Sequence, residues 1–169
     1  MGTRDYLANR TPVPRGTLTQ LFLEAVDQFG DRIAHRNIVQ NGFGELSYDQ
    51  VLGLVMNAAE GMKALGVARG DRIAILSDNR PEWSQADYAA ICTGVPVVPI
   101  HTTLTPAQIA YILEDSGTKV VFASTEEQLE KALEAIASLE PKPRVVVFDP
   151  PSDAPSDLLS WQDFMEEGA

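Results

Sequence analysis

The sequence predicts an α/β fold: a mostly parallel, doubly wound sheet flanked by helices and preceded by a small hairpin. Three observations carry this. Apolar runs at residues 72–76, 95–100, 119–123 and 144–148 are dense in Val and Ile without alternating polar positions, as in strands covered on both faces. Segments with helical apolar spacing separate them, so the order from Arg72 onward is strand, helix, strand, helix, strand, helix, strand, the pattern of right-handed crossover units. Four segments also share one start signal, a Ser or Thr followed three residues later by Gln: Thr17 with Gln20, Ser47 with Gln50, Thr105 with Gln108, and Thr125 with Gln128. There the hydroxyl accepts from a free amide of the first turn while the Gln reaches back to the cap residue.

Taken in order, the first helix follows Thr17, presents Leu21, Ala25, Val26 and Phe29 on one stripe, and ends at Gly30. Residues 33–39 and 45–47, joined through Asn41, Gly42 and Gly44, predict the hairpin. The second helix begins at Ser47, carries Val51, Val55, Ala58, Met62 and Leu65, and stops at Gly66. After the first core strand, Pro81 opens a helix, since its missing amide costs nothing in a first turn; the helix runs through Trp83, Ala86, Ala90 and Ile91 to Gly94. Thr105 starts the next, with Ile109, Ile112 and Leu113 inward and Gly117 at its end, and Thr125 starts another, with Leu129, Leu133 and Ile136. Residues 149–157, rich in Pro, Ser and Asp, read as a surface connector, and 158–165 as one last short helix.

At 169 residues, 44% of them apolar and 22% charged, the chain has the size and composition of one globular domain able to bury a core. A formal charge of -11, with the bases scattered singly, repels a phosphate backbone and makes nucleic acid a poor partner. Cys92 is the single cysteine, so an internal disulfide is excluded and a reducing, cytoplasmic setting is expected. No apolar run approaches the roughly 20 residues that span a bilayer, and residues 1–15 lack the apolar centre of a secretory signal. Peripheral membrane contact stays open.

In an open parallel sheet, ligands bind beyond the carboxyl ends of the strands. The loop after the first core strand, Ser77, Asp78, Asn79 and Arg80, is the natural place for a phosphate cradle, yet it has no glycine to admit a phosphate to the backbone amides, and Asp78 and Glu82 add negative charge. Capping and a surface ion pair are the better reading of Arg80. His101, directly after a strand and beside Thr102 and Thr103, carries an imidazole of the kind used in acid–base chemistry, but no nucleophile with a supporting acid accompanies it. A structural role is preferred for it. His35 lies in the hairpin with no partner in view. Cys92 has no adjacent base to lower its pKa, so packing is its expected role, and two His and one Cys far apart give no metal site. The acidic pairs Glu114 with Asp115, Glu126 with Glu127, and Glu166 with Glu167 are read as solvated faces, because adjacent helical residues diverge. Trp83 and Tyr111 fall at core spacing and are expected to pack.

One further pattern runs along nearly the whole chain. Asp31-Arg32-Ile33-Ala34, Leu46-Ser47-Tyr48, Leu65-Gly66-Val67, Gly70-Asp71-Arg72-Ile73-Ala74-Ile75, Asn79-Arg80-Pro81-Glu82-Trp83, Val97-Val98-Pro99, Leu104-Thr105-Pro106, Ile109-Ala110-Tyr111-Ile112-Leu113 and Lys119-Val120-Val121-Phe122 follow in this order. In order and spacing they resemble the N-terminal portion of the AMP-forming acyl-CoA synthetases, most closely the long-chain fatty acid–CoA ligases among these adenylate-forming enzymes. Leu159-Ser160-Trp161-Gln162-Asp163-Phe164 resembles the stretch just before that family's phosphate loop.

The resemblance implies a partial N-terminal subdomain of the adenylate-forming fold, spanning 1–169. It implies a parent ligase that joins ATP and a fatty or other carboxylic acid into an acyl-adenylate and passes the acyl group to CoA. ATP, Mg and CoA are thus implied for the parent, with no cofactor for this chain. The family's phosphate loop, adenine-binding motif, ribose-binding Asp and catalytic Lys lie beyond Ala169, so no catalytic residue is assigned and the chain is expected to be inactive. By position, His101 and Thr102 match a family loop that lines the approach of CoA or the acyl chain; His101 departs from the small residues or Tyr common there. Truncating a sheet exposes an unpaired edge, so self-association is expected. A free-standing, non-catalytic binding or interaction module of the same fold is the alternative.

Overall fold

The computed structural model describes residues 16–39, 42–152, 154 and 158–168. Residues 1–15, the hairpin turn at Asn41 and much of the expected connector, 153 and 155–157, lie outside them. The elements in order are α1 (Leu18–Phe29), β1 (Ile33–Val39), β2 (Gly42–Ser47), α2 (Tyr48–Ala64), β3 (Arg72–Leu76), α3 (Pro81–Thr93), β4 (Val97–Ile100), α4 (Pro106–Ser116), β5 (Thr118–Ala123), α5 (Glu126–Ile136), β6 (Arg144–Val147), β7 (Leu159–Ser160) and α6 (Trp161–Glu167).

Cap chemistry separates the four predicted starts. At α2, Ser47 Oγ accepts from Gln50 N at 3.2 Å and Gln50 Oε1 accepts from Ser47 N at 2.8 Å, a complete capping box. At α4, Thr105 and Gln108 repeat it at 3.4 and 3.0 Å. At α1 only half forms: Thr17 accepts from Gln20 N at 3.1 Å, but the Gln20 amide donates forward to Glu24 at 2.8 Å. At α5, Thr125 makes no side-chain cap bond, and Gln128 turns inward to 4% exposure instead of reaching back. Ser47→Ala should therefore cost about 1 kcal/mol and Thr125→Ala close to nothing, read as the shift in urea midpoint.

β3, β4, β5, β6 and β7 form one parallel sheet in the order β4-β3-β5-β6-β7. Alternate side chains feed two cores. Ile73, Ile75, Val120, Phe122 and Val146 face one side, against Phe22 and Val26 of α1, Val51, Val55 and Met62 of α2, Ala86 and Ala90 of α3 and Phe164 of α6. Ala74, Leu76 and Val121 face the other, with Ile109 and Leu113 of α4 and Ala132, Ala135 and Ile136 of α5. Helices thus cover both faces, as the unbroken apolar runs require. The hairpin β1–β2 is a separate antiparallel pair, with Arg36 opposite Glu45 and Ile38 opposite Phe43.

Several expectations change in detail. β4 starts at Val97 because Gly94 turns left-handed (φ 74°) and Val95 N bonds Ala90 O at 2.8 Å, closing the helix exit. β2 begins at Gly42 rather than 45. The last segment is a two-residue strand, then a helix: Leu159 and Ser160 pair with Val146 and Val147, and Ser160 Oγ caps α6 by accepting from Asp163 N at 3.1 Å. Leu21 (55% exposed), Leu133 (46%) and Tyr111 (69%) lie outside the cores, contrary to their spacing. On α1 the buried positions are Phe22 and Val26, with Phe22 stacked on Tyr88 at 4.3 Å. On α5 the small Ala132 and Ala135 face the sheet, which places Leu133 at the edge of the stripe.

Candidate functional site

The strand order reverses between β3 and β5, because the chain steps from β3 to β4 on one side and then crosses to β5 on the other. Doubly wound sheets bind ligands at such a switch point. The loops at this carboxyl edge meet through polar contacts. Thr102 Oγ1 donates to Asp78 Oδ1 at 3.1 Å, tying the loop after β4 to the loop after β3. Lys131 Nζ donates to Thr102 O at 2.9 Å and to Glu127 Oε1 at 2.7 Å, bringing in α5. His101 is exposed, and its Nδ1 accepts from Thr103 N at 3.3 Å. The loop's polar atoms are therefore largely spent on one another.

Arg80 dominates the other side of this edge. Its Nη1 and Nη2 grip Asp149 at 2.6 and 3.0 Å, its Nε donates to Glu82 Oε2 at 2.7 Å, and its guanidinium lies 5.2 Å from the Phe148 ring centre. Asp149, burial and Glu82 act on it together, Asp149 most strongly, and the net result pushes its pKa above the usual Arg value. The expected ion pair forms, in bidentate and stacked geometry. Glu82 occupies the first turn of α3, where a carboxylate complements the free amides. The cation is thus already neutralised by protein carboxylates.

Beside Arg80 opens a cleft of about 760 Å³ between the hairpin and the start of α3, lined by His35, Arg36, Asn37, Ile38, Asn79, Arg80, Glu82, Ser84 and Asp149 among others. His101 and Thr102 are not in its lining. His35 Nε2 lies 3.3 Å from Ser84 Oγ, which donates to Pro81 O at 2.8 Å, while the buried Nδ1 has no partner. That pair is not a nucleophile with its base: the serine proton is committed to a carbonyl, and no acid orients the imidazole. Arg36 in turn pairs with Glu45 at 2.6 Å. Among the described residues no cluster of His, Cys, Asp and Glu could hold a metal ion, and no helix is long and apolar enough to cross a membrane.

The AMP-binding enzyme family matches this chain over residues 22–167, which takes in both cores and every loop of the carboxyl edge. The chain belongs to that family. The long-chain-fatty-acid–CoA ligase ACSBG1 of Homo sapiens is 33% identical to it over 153 residues, covering 90% of this chain and 21% of that protein. FadD15 of Mycobacterium bovis, also named a long-chain-fatty-acid–CoA ligase, is 29% identical over 109 residues, 64% of this chain and 18% of that protein. The chain thus spans about a fifth of the length of these relatives. Among solved structures, coronafacic acid ligase from Pectobacterium brasiliense superposes with a TM-score of 0.79 at 20% identity, over 89% of this chain and 29% of its own. The N-terminal domain of FACL13 from Mycobacterium tuberculosis gives 0.70 at 25% identity, over 90% of this chain and 36% of its own. The chain accordingly has the fold of the N-terminal part of adenylate-forming CoA ligases.

Sequence reading missed the neighbourhood of His35. Its partner Ser84 lies 49 positions away, across a long-range contact that no local motif announces. Burial lowers the His35 pKa from its ordinary 6.5. The unfolded chain then binds the extra proton in the window just below that value, so stability falls as pH drops through it and levels off below the folded pKa. Urea midpoints taken from pH 8 downward should show this acid-side loss in the wild type and less of it in His35→Gln; equal slopes would count against the assignment. Asp87, raised by burial, gives the opposite slope at more acidic pH. Cys92, also raised by burial, packs against the first core as expected.

Proposed function

We propose that this chain is the N-terminal subdomain portion, residues 1–169 with 149–157 as surface connector, of a fatty acid–CoA ligase, and that by itself it does not catalyse. The observation that carries the reading is the 33% identity to a long-chain-fatty-acid–CoA ligase along 90% of the chain. The parent would join a carboxylic acid and ATP into an acyl-adenylate and then transfer the acyl group to CoA. ATP, Mg and CoA would be held by residues outside this chain. Within it, His101 and Thr102 would line the approach of CoA or the acyl chain, their loop held in shape by Asp78 and Lys131. The inactivity follows from the chemistry of Ser77, Asp78, Asn79 and Arg80: without a glycine-lined turn, and with Arg80 paired to two carboxylates, the edge has little to grip a triphosphate. The lone Cys92 supports a cytoplasmic setting and the net charge of -11 disfavours nucleic acid. Peripheral membrane contact and self-association complete the proposed partners.

ATP–pyrophosphate exchange with a fatty acid tests the reading. The 169-residue chain should show none, and exchange above background would overturn the inactive assignment. A second reading, a free-standing interaction module, draws on the main sheet, whose edges are a four-residue strand with Pro99 and a two-residue strand and so are already blunted. A stop codon directly after Ala169 favours the module, and continuation into a phosphate loop favours the ligase.

A further inference from the structure

α1 and α3 run antiparallel, with Thr19 Oγ1 donating to Ile91 O at 3.1 Å and Phe22 stacked on Tyr88. Between them and the start of α2 lies a groove of about 310 Å³, lined among others by Leu18, Leu21, Phe22, Tyr48, Tyr88 and Asp87. Its apolar rim is open, with Leu18 64% and Leu21 55% exposed. The charged group in its lining is Asp87, which is half-buried. Burial raises the pKa of this carboxyl, and among the described residues no cation or hydrogen bond opposes the shift. A half-buried acid without a partner is costly, so a cation carried in by an apolar stretch of chain would answer both features of the groove.

We infer that residues 1–15 of this chain lie back along the groove, with Arg10 on Asp87, Val13 against the exposed leucines and Leu7 toward Tyr48. The segment reads MGTRDYLANRTPVPR and joins α1 directly through Gly16 and Thr17. Its charge opposes that of the acidic remainder, since it holds three of the chain's 13 basic residues and one of its 24 acids. Pro12 and Pro14 favour extended backbone, and so do the residues before them. A polyproline II strand has three residues per turn, so Leu7, Arg10 and Val13 fall on one side of it, in the order apolar, basic, apolar. The groove offers the matching order: Leu18 and Leu21 first, then Asp87, about 6 Å along α3 from Ile91, then Tyr48. Eight residues separate Arg10 from Leu18, a reach of up to about 26 Å when extended, so the chain can reverse at 14–16 and still bring Arg10 to Asp87. The short tether favours this occupant over any free basic peptide or second copy, because its effective concentration is on the order of millimolar.

Limited trypsin digestion of the 169-residue chain reads the contact at the bond between Arg10 and Thr11. The wild type should be cut there slowly, and Asp87→Asn about tenfold faster with an unchanged circular dichroism spectrum, because cleavage follows the open population and a charge-assisted bond is worth about that factor. In a Cys92→Ser background, Val13→Cys with Leu21→Cys should close a disulfide within one chain under mild oxidation, read as loss of both thiols at monomer mass. Cutting of the wild type as fast as a free peptide of residues 1–15 overturns the docking. Protection that Asp87→Asn leaves intact overturns the contact with Asp87. Failure of the cysteine pair to cross-link overturns the placement of Val13, and a disulfide that joins two chains at low micromolar concentration gives the groove to a second copy and overturns the intramolecular assignment.

Discussion

Phe164→Ala is expected to destabilise the chain by about 3–5 kcal/mol, the cost of removing a large aromatic side chain from a closed core. Phe164 is fully buried, lies edge-on to Phe122 at 5.3 Å and within 5.2 Å of Trp161, and Trp161 meets Phe148 edge-on at 5.0 Å. The ring also seats α6 on α2. A Cβ on Gly61 would come within 2.6 Å of Phe164 O and 2.8 Å of its ring, so the two helices touch there without room for a methyl group. Loss of the ring removes the anchor of a seven-residue helix too short to hold itself, and β7 precedes it directly. Urea denaturation followed by tryptophan fluorescence measures the effect, since Trp161 is part of the cluster. A change below about 1 kcal/mol would show that the cavity collapses or that α6 contributes little.

The second large effect is expected at Arg80. Arg80→Met should cost about 1.5 kcal/mol, the lower part of the range for charge-assisted bonds because Asp149 is 61% exposed and screened by solvent. The variant leaves Glu82 and Asp149 without the cation between them and removes the guanidinium from the Phe148 face. Arg80→Lys should recover less than half, since an ammonium cannot supply the parallel pair of bonds. Hydrogen exchange adds a local readout: amides of 77–80 and 149 should exchange faster in Arg80→Met, while α4 should not. Uniform exchange with unchanged stability would reduce the ion pair to a surface ornament.

Much of the fold was legible locally. The capping pairs at Ser47 and Thr105, Pro81 at the start of α3, and the left-handed glycines at 94 and 117 are decided by neighbours within five residues, and each behaves as its spacing implies. Periodicity was less reliable where two apolar residues compete for one stripe: Leu21 yields to Phe22, and Leu133 to Ala132, because the partner surface selects which side chain fits. Thr125 and Gln128 match the capping pattern, yet Gln128 is drawn into the interior at the end of β5. β7 escaped notice because two residues carry no period, and its pairing with β6 exists only once the sheet does.

The candidate site divides in the same way. The missing glycine between Ser77 and Arg80, the lone cysteine, the acidic balance and the ordered family motifs belong to the amino-acid sequence alone, since they depend on which atoms are present. The Arg80 grip on Asp149, the meeting of His35 with Ser84, the Thr102–Asp78 link and the exposed pair Ile38 and Phe43 come from tertiary structure. Each joins residues distant along the chain or depends on what fails to cover them, and burial and distance are properties of the folded surface that no local pattern contains.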